Sequence, residues 1–459
     1  MKIKKIITNL LFLGIVFIVV ALNLFIFWRV RLANRVGKQL NAITSAQQPV
    51  TLQELDAWYT AVPDEKNAAK EIEASFALVR DYGDKRSNEI SHFKPPVRGE
   101  SLTADQTALL AGYVEMNREA MAKVREALTR PASRYSVDFT WGYNTPLAHL
   151  PKVKKLTVLA QFEALLAVST GEPSNVVVSI QTELELARTL EEEPSLISQL
   201  VRLACINIAA GSAEHALAKM EFNKHESEEL DSAFSAVDRT GTMVRGFIGD
   251  RAMYLPAFRM SRAEIGRMSD DNKDDSGSNK PPTGPLVQGH QPIFMRVNGF
   301  FERDLSFFLQ AMETNIGCAK LPPPESLKLN EIAYKNSETA KNHLFILSGL
   351  SLPAMSKMTE KEARALANVR LTRTALAIER FRQATGKLPD ELKQLTPQFL
   401  PTVPIDPFDG MPLRYRKREH WHLVYSVGMD GQDDNGKEKP EKSSGLGPEN
   451  YDLTFVVDR

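Results

Sequence analysis

Apolar and polar residues follow three different patterns along the chain. An uncharged apolar run extends from Ile6 to Trp28. In the middle, apolar residues recur at intervals of three and four, which predicts amphipathic helices, and near the C-terminus they alternate with polar residues, which predicts strands. We therefore predict a mainly α protein. It has an N-terminal membrane anchor in residues 1–35, a helical bundle or repeat-like domain in 36–350, and a small α+β module in 357–459, where one long helix joins antiparallel strands.

The N-terminal run has the length of a transmembrane helix. At about 1.5 Å per residue it would extend about 34 Å, which exceeds the ~30 Å hydrocarbon core of a bilayer. It lacks the shorter apolar region and the small-x-small cleavage site of a secretory signal peptide. Trp28 has the position of an interfacial aromatic residue. We expect a retained signal anchor that contacts the lipid bilayer through residues 6–28.

Basic residues on both sides of the run do not decide its orientation. Lys2, Lys4 and Lys5 precede it, and a further basic group follows it between Arg29 and Lys38. A head of a few residues is easier to retain in the cytoplasm than the rest of the chain. We therefore expect a single-pass membrane protein with the bulk of the chain extracytoplasmic.

Capping signals divide the middle of the chain into helices. Thr51 and Glu54 have the spacing of a capping box. A later helix ends at Gly171, a second begins at Ser174, and Pro194 occupies the first turn of a third. The apolar faces predicted for the last two are Val177, Ile180, Leu184 and Ala187, and Ile197, Leu200, Ala204 and Ile208. An antiparallel bundle is favoured over a repeat array, because no fixed period recurs.

Two other segments of the middle differ in composition. Residues 101–130 place Leu110 and Met121 at helical spacing and stop before Pro131, which predicts a helix. Residues 269–292 are rich in Gly, Pro, Ser and Asp and poor in apolar side chains. That composition predicts a mobile loop or linker.

The C-terminal module begins with the strongest helix prediction. Residues 359–389 carry one apolar stripe, and Gly386 and Pro389 end the helix. Two arms with alternating apolar residues, at 413–415 and 423–425, predict a β-hairpin, and the segment YDLTFVVD predicts a last strand. The stripe consists of Ala367, Leu371, Ala375, Ile378 and Phe381.

Short motifs occur in a fixed order in this module. They are Gly386, LP at 388–389, FL at 399–400, PIDPFDG at 404–410, YSVGMDG at 425–431 and DL at 452–453. In this order they resemble the C-terminal half of the type II secretion major pseudopilin. The resemblance implies a long helix packed with a small sheet, and an association with type II secretion or pilus-like machinery.

The rest of the chain departs from that family. The N-terminal peptidase signature of the type G-F-T-L-x-E is absent, and a long helical middle separates the apolar run from the C-terminal helix. Polymerisation into a pilus-like fibre is therefore not expected. The whole chain is similar instead to uncharacterised membrane-anchored bacterial proteins that carry the same kind of C-terminal module. This resemblance implies that the single-pass anchor lies in the bacterial inner (cytoplasmic) membrane.

Aspartates in the last strands and turns are candidate calcium ligands. The resemblance implies a calcium loop in which Asp430 and Asp452 match acidic positions of the family, and Asp433 and Asp434 lie between them. Calcium prefers about six to eight oxygen ligands, which carboxylates and loop carbonyls supply. The alternative is that Asp–Gly pairs form turns without a ligand, which is also our interpretation of the segment PIDPFDG.

Other clusters carry weaker signals. His420 and His422 have a strand spacing that suits zinc, but no third ligand accompanies them, so an exposed hairpin tip is favoured. Three arginines, Arg370, Arg373 and Arg380, lie away from the apolar stripe of their helix and predict a solvated or inter-domain face.

Composition excludes some classes of function. Lys and Arg together number 57, as do Asp and Glu, so no charge excess points to nucleic acid. Cys205 and Cys318 are too distant in sequence for a CxxC or cysteine zinc site, and buried free thiols are favoured over one disulfide.

Three functions remain open. The favoured one is a single-span envelope protein of structural or protein-interaction type, with calcium as a candidate ligand and with protein partners. The alternatives are a component of type II secretion or pilus-like machinery, and an enzyme whose site is not visible in sequence. Because nucleophile-elbow, P-loop and HExxH motifs are absent, no catalytic or cofactor-binding residue is predicted.

Overall fold

The computed structural model of the chain describes residues 2–96, 100–259, 297–343, 345–418, 421–438 and 451–458. The loop predicted at 269–292 lies outside the described residues. Within them the architecture is mainly helical, with an apolar N-terminal helix and a small antiparallel sheet near the C-terminus. The predicted fold class is confirmed.

Helices form most of the described structure. Up to residue 259 they are α1 (Lys2–Ser45), α2 (Leu52–Trp58), α3 (Ala68–Ser75), α4 (Arg86–Ser91), α5 (Ala104–Met116), α6 (Arg118–Leu128), α7 (His149–Thr170), α8 (Pro173–Arg188), α9 (Leu196–Lys219), α10 (Lys224–Val237) and α11 (Val244–Tyr254). They continue as α12 (Phe300–Ala319), α13 (Glu325–Asn342), α14 (Ile346–Met355) and α15 (Met358–Thr385). The strands are β1 (Arg414–Arg418), β2 (Trp421–Ser426) and β3 (Leu453–Asp458). We call α2 to α15 together with the sheet the body.

Local capping signals set several helix ends as predicted. The Thr51 hydroxyl accepts a hydrogen bond from the Glu54 backbone N–H, and the Glu54 carboxylate accepts one from the Thr51 N–H, which completes a capping box. Helices α7 and α15 end at Gly171 and Gly386, both with the positive φ that glycine adopts without strain.

The segment 101–130 is two helices rather than one. Helices α5 and α6 meet at Asn117, whose side chain is buried. Its amide donates to the carbonyls of Arg80 and Tyr113, and its Oδ1 accepts from the Arg80 N–H. At this break the Asn117 side chain therefore provides hydrogen-bond partners for the backbone N–H and C=O of Arg80 in a neighbouring loop. Such a long-range contact cannot be deduced from the spacing of apolar residues along the helix.

The start of α9 also differs from the prediction. Pro194 precedes the helix instead of occupying its first turn, and the Asp250 carboxylate on α11 accepts a hydrogen bond from the Leu196 N–H. Ile197, predicted to be on the buried face, is exposed. Because α7, α8, α11, α15 and β3 surround α9, most of its circumference is buried, and its apolar spacing does not single out one face.

The three strands form an antiparallel sheet in the order β1-β2-β3, which confirms the predicted hairpin and last strand. Val424 lies opposite Tyr415 on β1 and Phe455 on β3. Val424 and Phe455 belong to the main hydrophobic core, whereas Leu423 and Tyr425 form a small cluster on the other face. Alternate residues of β2 thus contact two different layers.

Helix α15 connects the sheet to the helical part of the body. It packs against α9 and α10 on one side and against β2 and β3 on the other, and one continuous core includes residues from all of them. Arg373 bridges Asp231 of α10 and Asp238, the residue that follows α10, at 3.0 and 2.7 Å. Arg370 pairs with Asp238, and Arg380 pairs with Asp231. The three arginines therefore occupy a partly buried inter-helix contact.

The two parts of helix α1 have different surroundings. It contains 44 residues, or about 66 Å of helix. A window in its first part has mean hydropathy 3.0, none of it buried within the protein, so this part is long and apolar enough to span a membrane. The second part is buried on α12 at Leu32, Val36 and Ile43. Helix α9 is also apolar, but most of its apolar window is buried inside the body.

Cys205 and Cys318 are both free and buried, which confirms the prediction of buried thiols. Burial raises the pKa of the Cys205 thiol to about 11. A thiol with such a pKa stays protonated at neutral pH and is unreactive.

Glu183 is a carboxyl group enclosed among α7, α8 and α9. It is fully buried, Ser212 donates to its Oε1 at 3.0 Å, and its Oε2 has no hydrogen-bond partner among the described residues. Burial raises its pKa well above the ordinary value, and the charge of Glu163 adds to the rise. The folded protein therefore favours the protonated form.

This burial predicts a stability that depends on pH. The unfolded chain releases the Glu183 proton near pH ~4.3, whereas the folded chain retains it to higher pH, so the free energy of unfolding decreases as pH rises toward the folded pKa. Glu183→Gln cannot ionise. Tm is measured by circular dichroism in detergent for variant and parent. The Tm of Glu183→Gln relative to that of the parent should rise as the pH is changed from acidic to mildly alkaline. Glu228→Gln, at an exposed position, is the control, and a pH-independent difference for Glu183→Gln would contradict the prediction.

Candidate functional site

The turn before β1 is organised by one buried carboxylate, that of Asp406. Its Oδ1 accepts hydrogen bonds from the Phe408 N–H at 3.0 Å and the Ser426 hydroxyl at 2.8 Å. Its Oδ2 accepts from the Val427 N–H and from Arg414, both at 2.9 Å. Burial raises the pKa of Asp406 above its ordinary value, although these backbone and hydroxyl donors lower it in part. Asp406 therefore ties the turn to the end of β2.

Asp409 completes this turn. Gly410 has the positive φ of a tight turn, and the Asp409 carboxylate accepts from the Met411 N–H and pairs with Arg414. Burial raises the pKa of Asp409, but the hydrogen bond from Arg414 outweighs it, and the net pKa is below its usual range. The interpretation of this segment as a turn is correct for Asp409. It is incomplete for Asp406, which is also a buried acceptor for distant donors.

Residues 429–438, which we call the acidic loop, lie over the outer face of β2. Gly436 has a positive φ of 76°, and a Cβ atom there would lie 2.3 Å from Leu423 Cδ2, so a larger residue would be strained and would displace the Leu423 side chain. The Tyr425 hydroxyl donates to Asp433 Oδ1 at 3.1 Å. Burial raises the pKa of Tyr425 to about 12, and the charge of Asp433 adds to the rise. The acidic loop is therefore packed on the sheet.

The four predicted calcium ligands have different surroundings. Asp452 is buried and accepts from the backbone N–H groups of Gly436 at 2.6 Å and Asp434 at 3.4 Å. Asp433 contacts Tyr425 and lies 3.6 Å from Arg414 Nε. Asp430 caps its own turn through the Gln432 N–H.

Electrostatics connects three of these four aspartates. Burial raises the pKa of Asp452, and the charges of Asp433 and Asp434 raise it further. Asp434 Oδ2 is buried and has no hydrogen-bond partner among the described residues. Yet no group of three or more His, Cys, Asp or Glu side chains in the described part of the chain is arranged to hold a metal ion. Calcium binding stays a prediction.

The histidine prediction is wrong for His422. Its side chain points into the protein, with Nδ1 3.5 Å from the buried carboxylate of Glu379 on α15. Strand alternation explains this, because His422 shares the inner face of β2 with Val424. His420 lies outside the described residues.

Two buried polar clusters bear on the enzyme alternative. Glu193 accepts from the Ser198 hydroxyl at 2.5 Å and lies 3.0 Å from His149 Nε2. Glu193 therefore contacts both the serine and the histidine. In a catalytic triad the histidine lies between the serine and the carboxylate, so this cluster does not have the arrangement of a triad. This cluster ties the start of α7 to the start of α9.

The second cluster surrounds a cavity of about 10 Å³ lined by Arg202, Arg239, Thr242 and Glu362, with room for about one water molecule. Nε and Nη1 of Arg202 are buried without a hydrogen-bond partner among the described residues. Burial lowers the pKa of Arg202, and the charge of Glu191 opposes that change. The cavity is too small for an organic substrate.

Comparison of the chain with known protein families, with curated proteins and with solved structures finds no match. The resemblance of the C-terminal module therefore rests on the sequence motifs alone.

The hydrogen bonds of Asp406 predict a clear contrast with the acidic loop. Asp406→Ala leaves two backbone N–H groups and the Ser426 hydroxyl without their Asp406 acceptor and removes one of the carboxylates that pair with Arg414, and it should cost about 3 kcal/mol or more of unfolding free energy. Asp430→Ala removes one exposed turn contact and should stay within about 0.5 kcal/mol of the parent. Chemical unfolding, with mass spectrometry of the first proteolytic cuts, checks this. Early cleavage near residue 406 is expected for Asp406→Ala alone, and equal behaviour of the two variants would refute the assignment.

Proposed function

We propose that the chain is a single-span membrane protein of the bacterial cell envelope that acts through protein contacts. The observation that carries the proposal is the change along α1. Its first part exposes apolar side chains on all sides, and its second part is docked on the body. A helix with that composition has its lowest free energy when lipid surrounds its apolar first part.

The junction between the two parts supports a fixed attachment. Arg29 donates to Glu302 Oε1 on α12 at 2.8 Å, and a Cβ atom on Gly299 would lie 3.0 Å from Leu32 Cδ2. Gln39 donates to the Ser306 carbonyl at 3.0 Å. The body would therefore follow α1 as one unit instead of hanging from a linker.

Features of the body support a role in protein contacts. Large apolar side chains are exposed on the surface at Leu321, Leu329 and Ile332. Leu329 and Ile332 are three residues apart on α13 and therefore share one helix face, and a shared exposed apolar face is a candidate docking surface for another protein.

Association with type II secretion or pilus-like machinery is the narrower alternative suggested by the motifs. The packing of a long helix, α15, on a small antiparallel sheet is compatible with it. The helical body between α1 and α15 argues against a fibre subunit, so we place this alternative second.

Membrane anchoring predicts resistance to alkaline carbonate extraction. Full-length protein should remain with the vesicles, and a fusion of alkaline phosphatase after the C-terminus should be active if the body is exported. In the control variant Phe17, Val20 and Leu24 are all changed to Lys. Each lysine near the centre of a membrane helix costs about 2.5–3.5 kcal/mol of insertion free energy. That variant should be released more readily. Release of the parent, or an inactive fusion in well-expressed cells, would count against anchoring or export respectively.

We further propose that the acidic loop binds calcium weakly. Asp433, Asp434 and Asp452 are close enough for their charges to interact, and Asp434 Oδ2 lacks a partner among the described residues. A cation would relieve this repulsion and supply that partner.

Calorimetric titration of the full chain in detergent tests the calcium proposal. Heat and a rise in Tm are expected at about millimolar calcium, the range of weak extracellular sites. Asp434→Asn should reduce both effects, whereas Asp64→Asn, at an exposed position distant in sequence from the acidic loop, should not. Absence of heat and of stabilisation would exclude the site.

A further inference from the structure

The end of the body nearest the exposed part of α1 carries apolar side chains on its surface. Val297 is 51% exposed, Ile346 37% and Leu350 51%. Ile346 and Leu350 are one turn apart on α14, and Val297 lies just before α12. We call these three residues the anchor-side patch.

Hydrogen bonds define the position of this patch along the axis of α1, which we call its level. Arg29 of α1 meets Glu302 in the first turn of α12. Two residues further along α12, the Asp304 carboxylate accepts from the backbone N–H groups of Leu347 at 2.9 Å and Ser348 at 3.2 Å. The first turn of α14, with Ile346, therefore lies within about one helical turn of the Arg29 contact.

The same level is where α1 changes from exposed to buried. Trp28 and Val30 are its last large exposed apolar residues, and Leu32 is the first buried one. If lipid covers α1 up to Trp28, the headgroup layer begins at this height. Arg31 and Arg303 are exposed here, and the Arg303 guanidinium lies 6.0 Å from the centre of the Phe345 ring.

We propose that the anchor-side patch rests in the headgroup layer of the membrane, where it forms a second lipid contact beside α1. The inference rests on the proposed membrane anchoring. Apolar side chains enter the boundary between headgroups and acyl chains, while Arg31 and Arg303 favour anionic headgroups. Two separated contacts would fix the tilt of the body on the membrane, which a single helix does not.

Lipid is favoured over a protein partner by the position of the patch. The other exposed apolar side chains of this region, Leu329 and Ile332, lie on α13 where Asn330 donates to the Ser356 carbonyl, at the far end of α14. Leu329 lies about 20 Å along the helix axis from the end of α13, the end that leads into α14. A protein docked on the whole face would cover both regions, whereas a membrane would cover only the anchor-side patch.

Site-specific fluorescence quenching distinguishes these occupants. Full-length protein carrying Ile346→Cys, Leu350→Cys, Leu329→Cys or Phe17→Cys is labelled with an environment-sensitive dye, and labelling is selective because Cys205 and Cys318 are buried. The proteins are reconstituted into phosphatidylcholine–phosphatidylglycerol vesicles that contain lipids with nitroxides on the headgroup or within the acyl chain. The four positions are exposed, so the labels should leave the fold intact, and circular dichroism verifies this.

Headgroup nitroxides should weaken the fluorescence of labels at Ile346 and Leu350 severalfold and leave the label at Leu329 unchanged. Acyl-chain nitroxides should quench the label at Phe17. No quenching at Phe17 would overturn the proposed anchoring. Quenching at Phe17 without quenching at Ile346 and Leu350 would overturn this inference alone. Equal protection of Ile346 and Leu329 from aqueous quenchers, without lipid quenching, would assign the face to a second copy of the chain and also overturn it.

Discussion

Burial of α15 between the helices and the sheet is the constraint on which the rest of the body depends. Its apolar residues complete a core shared with α9, α10, β2 and β3. Its arginines meet Asp231 and Asp238 where both partners are partly buried. Separation of α10 from α15 would expose apolar surface and leave these charges unpaired at the same time, and separation of the sheet would expose the apolar residues that it shares with α15. The C-terminal sheet is therefore held as a part of the body.

The second constraint is the continuity of α1. One unbroken helix exposes apolar side chains in its first part and buries Leu32, Val36 and Ile43 on α12 in its second. Because a helix transmits orientation along its axis, docking of the second part also sets the direction of the first. The same docking brings the start of α14 to the level where the exposed part ends. Anchoring and orientation thus depend on the same interface.

The aspartates of the C-terminal module show how surroundings give one residue type different roles. Asp406 is buried, and its donors come from its own turn, from β1 and from the end of β2. Asp430 caps a turn through one nearby backbone N–H. Asp434 has a buried oxygen with no partner among the described residues. The first is a structural centre, the second serves local geometry, and only the third presents an unfilled acceptor to a cation.

Features that depend on nearby residues were predictable from the amino-acid sequence alone. The apolar run of α1, the capping box at Thr51 and the glycines that end α7 and α15 follow from local backbone physics, and the hairpin follows from side-chain alternation. Which side chains those elements bury depends on long-range packing. Ile197 is exposed, His422 is enclosed and Asp406 binds distant donors because elements far apart in sequence surround them. Spacing along one helix or strand cannot report such contacts, since burial depends on which partners arrive at each face.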